Sequence, residues 1–407
     1  MFLAALVATC LAAPAAGAAP STTRASVSSA GVEANAASGQ GRVAVSADGR
    51  YVAFVSDASN LVAGDVNGVA DVFLRDTQLG TTSRMSVSSA GVEGNGASSV
   101  DALAISPGGR FVTFTSLASN LAPGNDDSLC APDPCPDVYI RDRVAGTTRI
   151  LVPIGSGILP EHMLLTADAK FYAYDTAVLD GVARCRRSTG RCVQVSVLPH
   201  RIVVDEADPN SYLGGISAGG RFVLFRKLGF NESPHPTSKL AGGVFVRDVA
   251  RHTTQVVTTN PFDLAGALSP QGRFRLYTTG KRDVFVRDGA TGAIHRISVS
   301  STGHQANGSS FGIAISSGGR YCLFSSNATN LVAGDHNGRR DLFLRDRRLG
   351  TTVRVNVSTS GAEANAAVRF AALSTDGRWV AFSTPATNLV AGDANAVSDV
   401  FVRGPLH

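Results

Sequence analysis

A length of 407 residues, taken alone, suggests two or three domains. A net charge of +5, from 37 Lys+Arg against 32 Asp+Glu, would point to nucleic acid if the cations formed one basic stripe. They recur instead at fixed places in repeated phrases, which spreads the charge around the molecule, so no nucleic-acid partner is expected.

The first 19 residues carry no charge. An apolar run from Phe2 to Ala13 and a small-residue close at Ala16-Gly17-Ala18 resemble a secretory signal peptide, although the basic leading segment is missing. Residues 1–19 are therefore expected to be a signal peptide and 20–407 a single exported domain. No run of ~20 apolar residues elsewhere offers a transmembrane span.

The segment from Thr22 to Asn35 returns almost unchanged from Thr82 to Asn95 and reads as a strand with its exit. A phrase then begins that organises the chain: Ser46-Ala-Asp-Gly-Arg-Tyr-Val-Ala-Phe54. It recurs from Ser106, from Thr166 (with Ala169-Lys170 for Gly-Arg), and from Ser217, Ser269, Ser316 and Ser374. The basic residues of the copies, at 50, 110, 170, 221, 273, 320 and 378, stand 47 to 60 residues apart. A second phrase, Asp71-Val-Phe-Leu-Arg-Asp76, follows most copies, at 137–142, 243–248, 283–288, 341–346 and 399–403. A period of roughly 40 to 50 residues with several short strands per unit is the mark of a β-propeller. Each unit buries its faces only against its neighbours, so one ring replaces the two or three domains that length suggests.

Turn chemistry divides each unit into four strands. Strand A ends at the Ser-x-x-Gly-Arg turn, B is the aromatic-apolar run, C is the Val-Phe-Leu-Arg-Asp type and D the Arg-x-Ser-Val-Ser type. Between C and D, glycine follows the aspartate by four residues: Gly80 after Asp76, Gly146 after Asp142, Gly292 after Asp288 and Gly350 after Asp346. This spacing predicts an Asx-stabilised turn with a structural aspartate. The seventh unit stops at Arg403 without a strand D, and the segment from Thr22 supplies it. The expected fold is all-β: a seven-bladed β-propeller of four-stranded blades, its ring closed by the N-terminal strand completing the C-terminal blade.

Four of the six cysteines form close pairs, Cys130 with Cys135 and Cys185 with Cys192, and read as local disulfides. Neither spacing is that of a zinc site. Cys322 stands where the repeat has a small apolar residue and is expected to be buried rather than nucleophilic.

The phrases Ser-Ala-Asp-Gly-Arg-Tyr-Val-Ala-Phe and Asp-Val-Phe-Leu-Arg-Asp resemble the TolB-type, WD-repeat-like β-propeller family of exported bacterial proteins. The likeness covers nearly the whole mature chain and implies a secreted or periplasmic location. It is specific for fold and weak for role, because such propellers serve as interaction platforms, peptidase gating domains and lyase scaffolds.

With this strand order the B–C and D–A connections share one face, whose longer loops are where function is expected. Units six, seven, one and two, consecutive around the ring, share a loop script there: Asn60 to Asp71, a looser copy around Asn120 to Asp127, Asn330 to Asp341 and Asn388 to Asp399. The sets Asp65, Asn67, Asp71, then Asp335, Asn337, Asp341, and Asp393, Asn395, Asp399 place hard oxygen atoms at spacings that calcium favours. The same spacing suits plain Asx-turn architecture, and both readings stand at this level. Two spellings of a serine-hydrolase elbow, around Ser217 and Ser310, lack the strand-to-helix setting that motif needs. His162, His200, His235, His304 and His336 all fall in or beside long-loop connections. Some seven-bladed pectate-degrading lyases resembling this family hold a metal with histidines at the channel mouth, which makes these five an alternative site. The leading expectation is a non-enzymatic platform for a protein or glycan ligand, with no cofactor or with calcium in the B–C loops, and with the chain a monomer. A metal-dependent polysaccharide lyase is the alternative.

Overall fold

The computed structural model describes residues 19–124, 136–152, 160–166, 169–176, 181–197, 211–228 and 242–407. Its strands form seven four-stranded antiparallel sheets. Blade 1 runs through Ser38–Val45, Tyr51–Ser56, Asp71–Asp76 and Thr81–Arg84 as strands A to D. Blades 2 to 6 repeat that order over 98–152, 160–194, 211–258, 264–296 and 310–354. Blade 7 takes strands A to C from Phe370–Leu373, Val380–Thr384 and Asp399–Gly404, and its strand D is Ser21–Arg24 from the other end of the chain. The closing register runs from Ser21 opposite Gly404 to Arg24 opposite Phe401. Both expectations, seven blades and closure by the N-terminal strand, hold. The expected signal peptide falls, but for Ala19, outside the described residues.

The repeated phrase folds as it does because every part has a partner. In all seven blades the phrase's serine or threonine oxygen accepts the backbone N–H of the residue five places on, at 2.9–3.0 Å, pinning the A–B turn. In five blades the turn arginine forks onto the aspartate that ends strand C. The pairs are Arg50–Asp76, Arg110–Asp142, Arg221–Asp248, Arg273–Asp288 and Arg320–Asp346, at 2.6–2.7 Å. The same aspartates accept the N–H groups of the following turn, as Asp76 does from Gln78 and Leu79. Arginine hydrogen bonds are the chief reason that Asp142, Asp248 and Asp288 ionise well below the usual carboxylate range. These aspartates are structural, as the glycine spacing predicts for Asp76, Asp142, Asp288 and Asp346, and Asp248 keeps the same turn with His252 at φ +53° in the glycine's place.

In six blades strands B and C present aromatic rings to each other, among them Phe54–Phe73, Phe225–Phe245, Phe324–Phe343 and Phe382–Phe401 at 5.6–6.0 Å between centroids, whereas in blade 3 Tyr174 faces Ala183. These phenylalanine rings are fully buried between blades, each contributing about 2–3 kcal/mol of transfer free energy. Cys322 is a free, buried thiol in strand B of blade 6, and burial pushes its ionisation up to about 12, so it packs as a small apolar side chain. Cys185 and Cys192 face each other across strands C and D of blade 3 and form a disulfide. Cys130 and Cys135 lie outside the described residues.

The innermost strands surround a central cavity of about 490 Å³. At its short-loop end stands an aliphatic collar made by the residue just before each repeat serine or threonine: Val45, Ile105, Leu165, Ile216, Leu268, Ile315 and Leu373. One repeat position thus lines the channel at its short-loop end, and Arg42 and Arg369, near the starts of their innermost strands, line it toward the long-loop face.

Candidate functional site

The loop carboxylates meet in three matching clusters. In blade 1, Arg84 from strand D reaches Asp71 at 2.9 Å, Asp65 at 3.4 Å and also Glu93. In blade 6, Arg354 reaches Asp341 at 3.0 Å, Asp335 at 3.4 Å and Glu363. In blade 7, Arg24 pairs with Glu33, with Asp393 at 3.5 Å and with Asp399 at 3.9 Å. The three carboxylates of each cluster offer oxygen atoms within 4.8 Å of one another, a set that could hold a metal ion. The aspartate side chains are nearly sealed, 4% exposed at most.

The asparagines take a different part from the carboxylates. Asn67 turns its amide nitrogen toward Asp71 and the Gly94 carbonyl, each at 2.9 Å, while its oxygen accepts the Val69 N–H. Asn337 and Asn395 repeat the pattern against Asp341 and Asp399. In this arrangement the asparagine oxygens serve an Asx turn, and the guanidinium supplies the positive charge. Arginine is missing from the sequence-derived site, and so is the glutamate. Their signal was present in the chain: Arg24 and Glu33, Arg84 and Glu93, and Arg354 and Glu363 share one separation along the D-strand exit.

Three carboxylates on one guanidinium leave each cluster with excess negative charge. Burial and the neighbouring carboxylates push Asp335 up to about 6, and burial does the same for Asp393, opposed by Arg24. Glu363 moves the other way despite burial, because it accepts the N–H groups of His336 and Asn337 and pairs with Arg354.

Blade 5 shows the frame without the upstream acid. Asp283 accepts from Ser298 and from Gln305, which stands where blades 1, 6 and 7 carry glutamate. In blade 2, Asn120 keeps its turn contacts with Asn95 and Glu93, whereas 125–135 lies outside the described residues.

Of the five histidines, His304 makes a 2.9 Å contact with Thr302, and His336 lends its N–H to Glu363. Among the described residues neither belongs to a group of three potential metal ligands. His162 lies in strand A of blade 3 with its side chain undescribed, and His200 and His235 lie outside the described residues. Ser217 is engaged by the Phe222 N–H, and Ser310 is buried against Ser326 at 2.8 Å, so both serve the repeat.

No family model matches the sequence, and no curated protein matches it. The fold is similar to that of solved propellers at low identity. An oligogalacturonate lyase in complex with manganese aligns with a TM-score of 0.55 and 12% identity, covering 94% of this chain and 93% of that one. A second oligogalacturonate lyase, from Vibrio parahaemolyticus, gives 0.54 and 10%, with coverage of 94% and 93%. The propeller domain of the Trilobed protease from Pyrococcus furiosus gives 0.54 and 10%, with coverage of 90% and 93%. Enzymes and protease domains thus share the architecture, and the likeness is one of fold. Among the described residues no helix is long and apolar enough to cross a membrane.

Proposed function

We propose that the protein is an exported, TolB-like, monomeric propeller that binds a protein or glycan ligand on its long-loop face without catalysing its conversion. The observation that carries this reading is the contrast between the two faces. On the short-loop face five blades repeat one Arg–Asp lock, whereas the long-loop face repeats its carboxylate cluster in blades 1, 6 and 7 only and carries different loop sequences in blades 3, 4 and 5. Repetition on one face and variation on the other is what a scaffold bearing a specific surface requires. The Cys185–Cys192 bridge supports a secreted or periplasmic location. We read the carboxylate clusters as arginine-locked turns that stiffen the rim, with calcium as the competing occupant.

A metal-dependent polysaccharide lyase is the second reading, favoured by the clustered carboxylates, which are able to hold an ion, and by the manganese named with a protein of similar fold. Glycan and protein arrays probed with the purified protein, followed by assay of acidic polysaccharides for unsaturated products, separate the two. Binding with intact ligand is expected. Metal-dependent release of unsaturated sugars overturns the platform reading.

A further inference from the structure

Most arginines described above are spent on turn locks or cluster centres. Arg282, Arg340 and Arg369 are spent on neither: all three are exposed, and none has a carboxylate partner among the described residues. Arg282 and Arg340 each precede the strand-C aspartate, in blades 5 and 6, where blades 1 and 7 carry Ala70 and Ser398. The carbonyl at this position accepts an N–H from the next blade at the start of its innermost strand: Ser310 to Arg282 at 2.7 Å, and Val368 to Arg340 at 3.1 Å. That bond places both arginines at the rim of the channel mouth. Arg369 lines the cavity itself.

Phe311 organises the pair. The Arg282 guanidinium lies 5.0 Å and that of Arg340 5.3 Å from the centroid of its ring, so the two cations are at most about 10 Å apart. Like charges held this way repel, and an anion bound against both relieves the repulsion. Lys281 and Arg339, both exposed, extend the cationic row. Exposed rings stand at its two ends. Phe262, 72% exposed, packs on Gly280 in the turn that carries Arg282, and Phe370, 40% exposed, adjoins Arg369 at the cavity.

We propose that this sector of the mouth, from Phe262 to Phe370, binds a short linear glycan of carboxylated sugars. The guanidinium forks match carboxylates, and the terminal phenylalanines take the apolar faces of sugar rings. The proposal rests on the long-loop face being a binding surface and names its ligand class. A single-stranded nucleic acid would use the same residue types, but it is served by aromatics interleaved with cations along a continuous track. Here the ring that meets both cations, Phe311, is half-buried under them, and the exposed rings stand only at the ends of the row.

The test is calorimetric titration of the full chain with a uronic-acid oligosaccharide, its methyl ester and a thymidine oligonucleotide. The acid should bind, and more weakly as salt rises. The ester and the Arg282→Gln/Arg340→Gln variant should each bind at least about tenfold more weakly, with Arg282→Lys/Arg340→Lys in between and the melting temperature unchanged. Equal affinity for acid and ester, salt-insensitive binding, an unaffected glutamine variant, or tighter binding of the oligonucleotide would overturn the proposal. If the acid fails to bind while the arrays find another ligand, this proposal falls and the platform reading stands; if the arrays find none, both fall.

Discussion

The indole of Trp379, in blade 7, covers Gly49 of blade 1 so closely that a Cβ built on the glycine would fall 2.1 Å from the indole Cγ. Gly49 also sits at φ +75°, where side chains are strained. The same clasp recurs around the ring, with Tyr51 on Gly109, Phe222 on Gly272, Phe274 on Gly319 and Tyr321 on Gly377. The repeat's Gly-Arg-aromatic order is therefore a device between blades: in six of the seven junctions one blade's aromatic closes over the glycine of the next, the exception being blade 3, where Ala169 holds the position.

Gly49→Ala should cost about 3 kcal/mol, combining backbone strain of about 1–2 kcal/mol with overpacking of about 1–3 kcal/mol. Gly31→Ala is the control, because Gly31 has φ +80° but open space around its Cβ position, and it should cost only the strain. Chemical denaturation of the two variants decides this. Equal losses would mean that the indole clasp contributes nothing.

Deleting residues 20–36 removes strand D of blade 7 and leaves strand C at 399–404 with an unpaired edge. The truncated protein should aggregate or lose its single cooperative melt. A soluble, monomeric truncation that melts like the full chain would contradict closure by the N-terminal strand.

The carboxylate clusters give opposite expectations for arginine and for metal. If arginine is the resident cation, Arg354→Met leaves three carboxylates without their partner and costs roughly 3 kcal/mol, while chelator leaves the melting temperature of the unaltered protein unchanged. A chelator-induced fall, absent from Asp65→Ala/Asp335→Ala/Asp393→Ala, would assign the loops to calcium instead.

Proton linkage offers a further handle. Asp335 and Asp393 hold protons more tightly in the folded chain, with values of about 6, than an unfolded aspartate does. The folded state therefore binds more protons between about pH 4 and 6, and these two groups make stability fall as pH rises through that window. Asp335→Asn/Asp393→Asn should accordingly melt higher than the unaltered protein at pH 7.5, with the difference shrinking toward pH 4.5. A lower melting temperature at pH 7.5 would show that the charged carboxylates are needed.

How much of this was legible in the chain follows from how far each contact reaches. The Ser46 to Tyr51 bond, the Asp76 turn and the Arg50–Asp76 lock all lie within one unit, so repetition alone exposes them. Blade closure was legible because Thr22 to Asn35 copies a segment whose place in its own unit is plain. The clusters were half legible: the aspartates stood out by spacing, but Arg84 and Glu93 belong to a strand and exit read only as scaffolding. Ala394, whose N–H bonds to Glu33, lies at the far end of the chain from it, and only ring closure brings them together. Arg282 and Arg340 end two B–C connections at a repeat position that holds Ala70 and Ser398 in blades 1 and 7, and Phe311 lies in strand A of blade 6, so periodicity marks the position but not its cations.

Hydrogen exchange on the protein with and without a ligand identified on the arrays tests the central claim most directly, namely that one face is scaffold and the other binds. Protection is predicted in the long-loop connections, 279–283, 335–341 and 365–370, with the turns at 46–50, 106–110 and 316–320 unchanged and the ligand recovered intact. Protection confined to those short-loop turns, or recovery of a cleaved ligand, would contradict it.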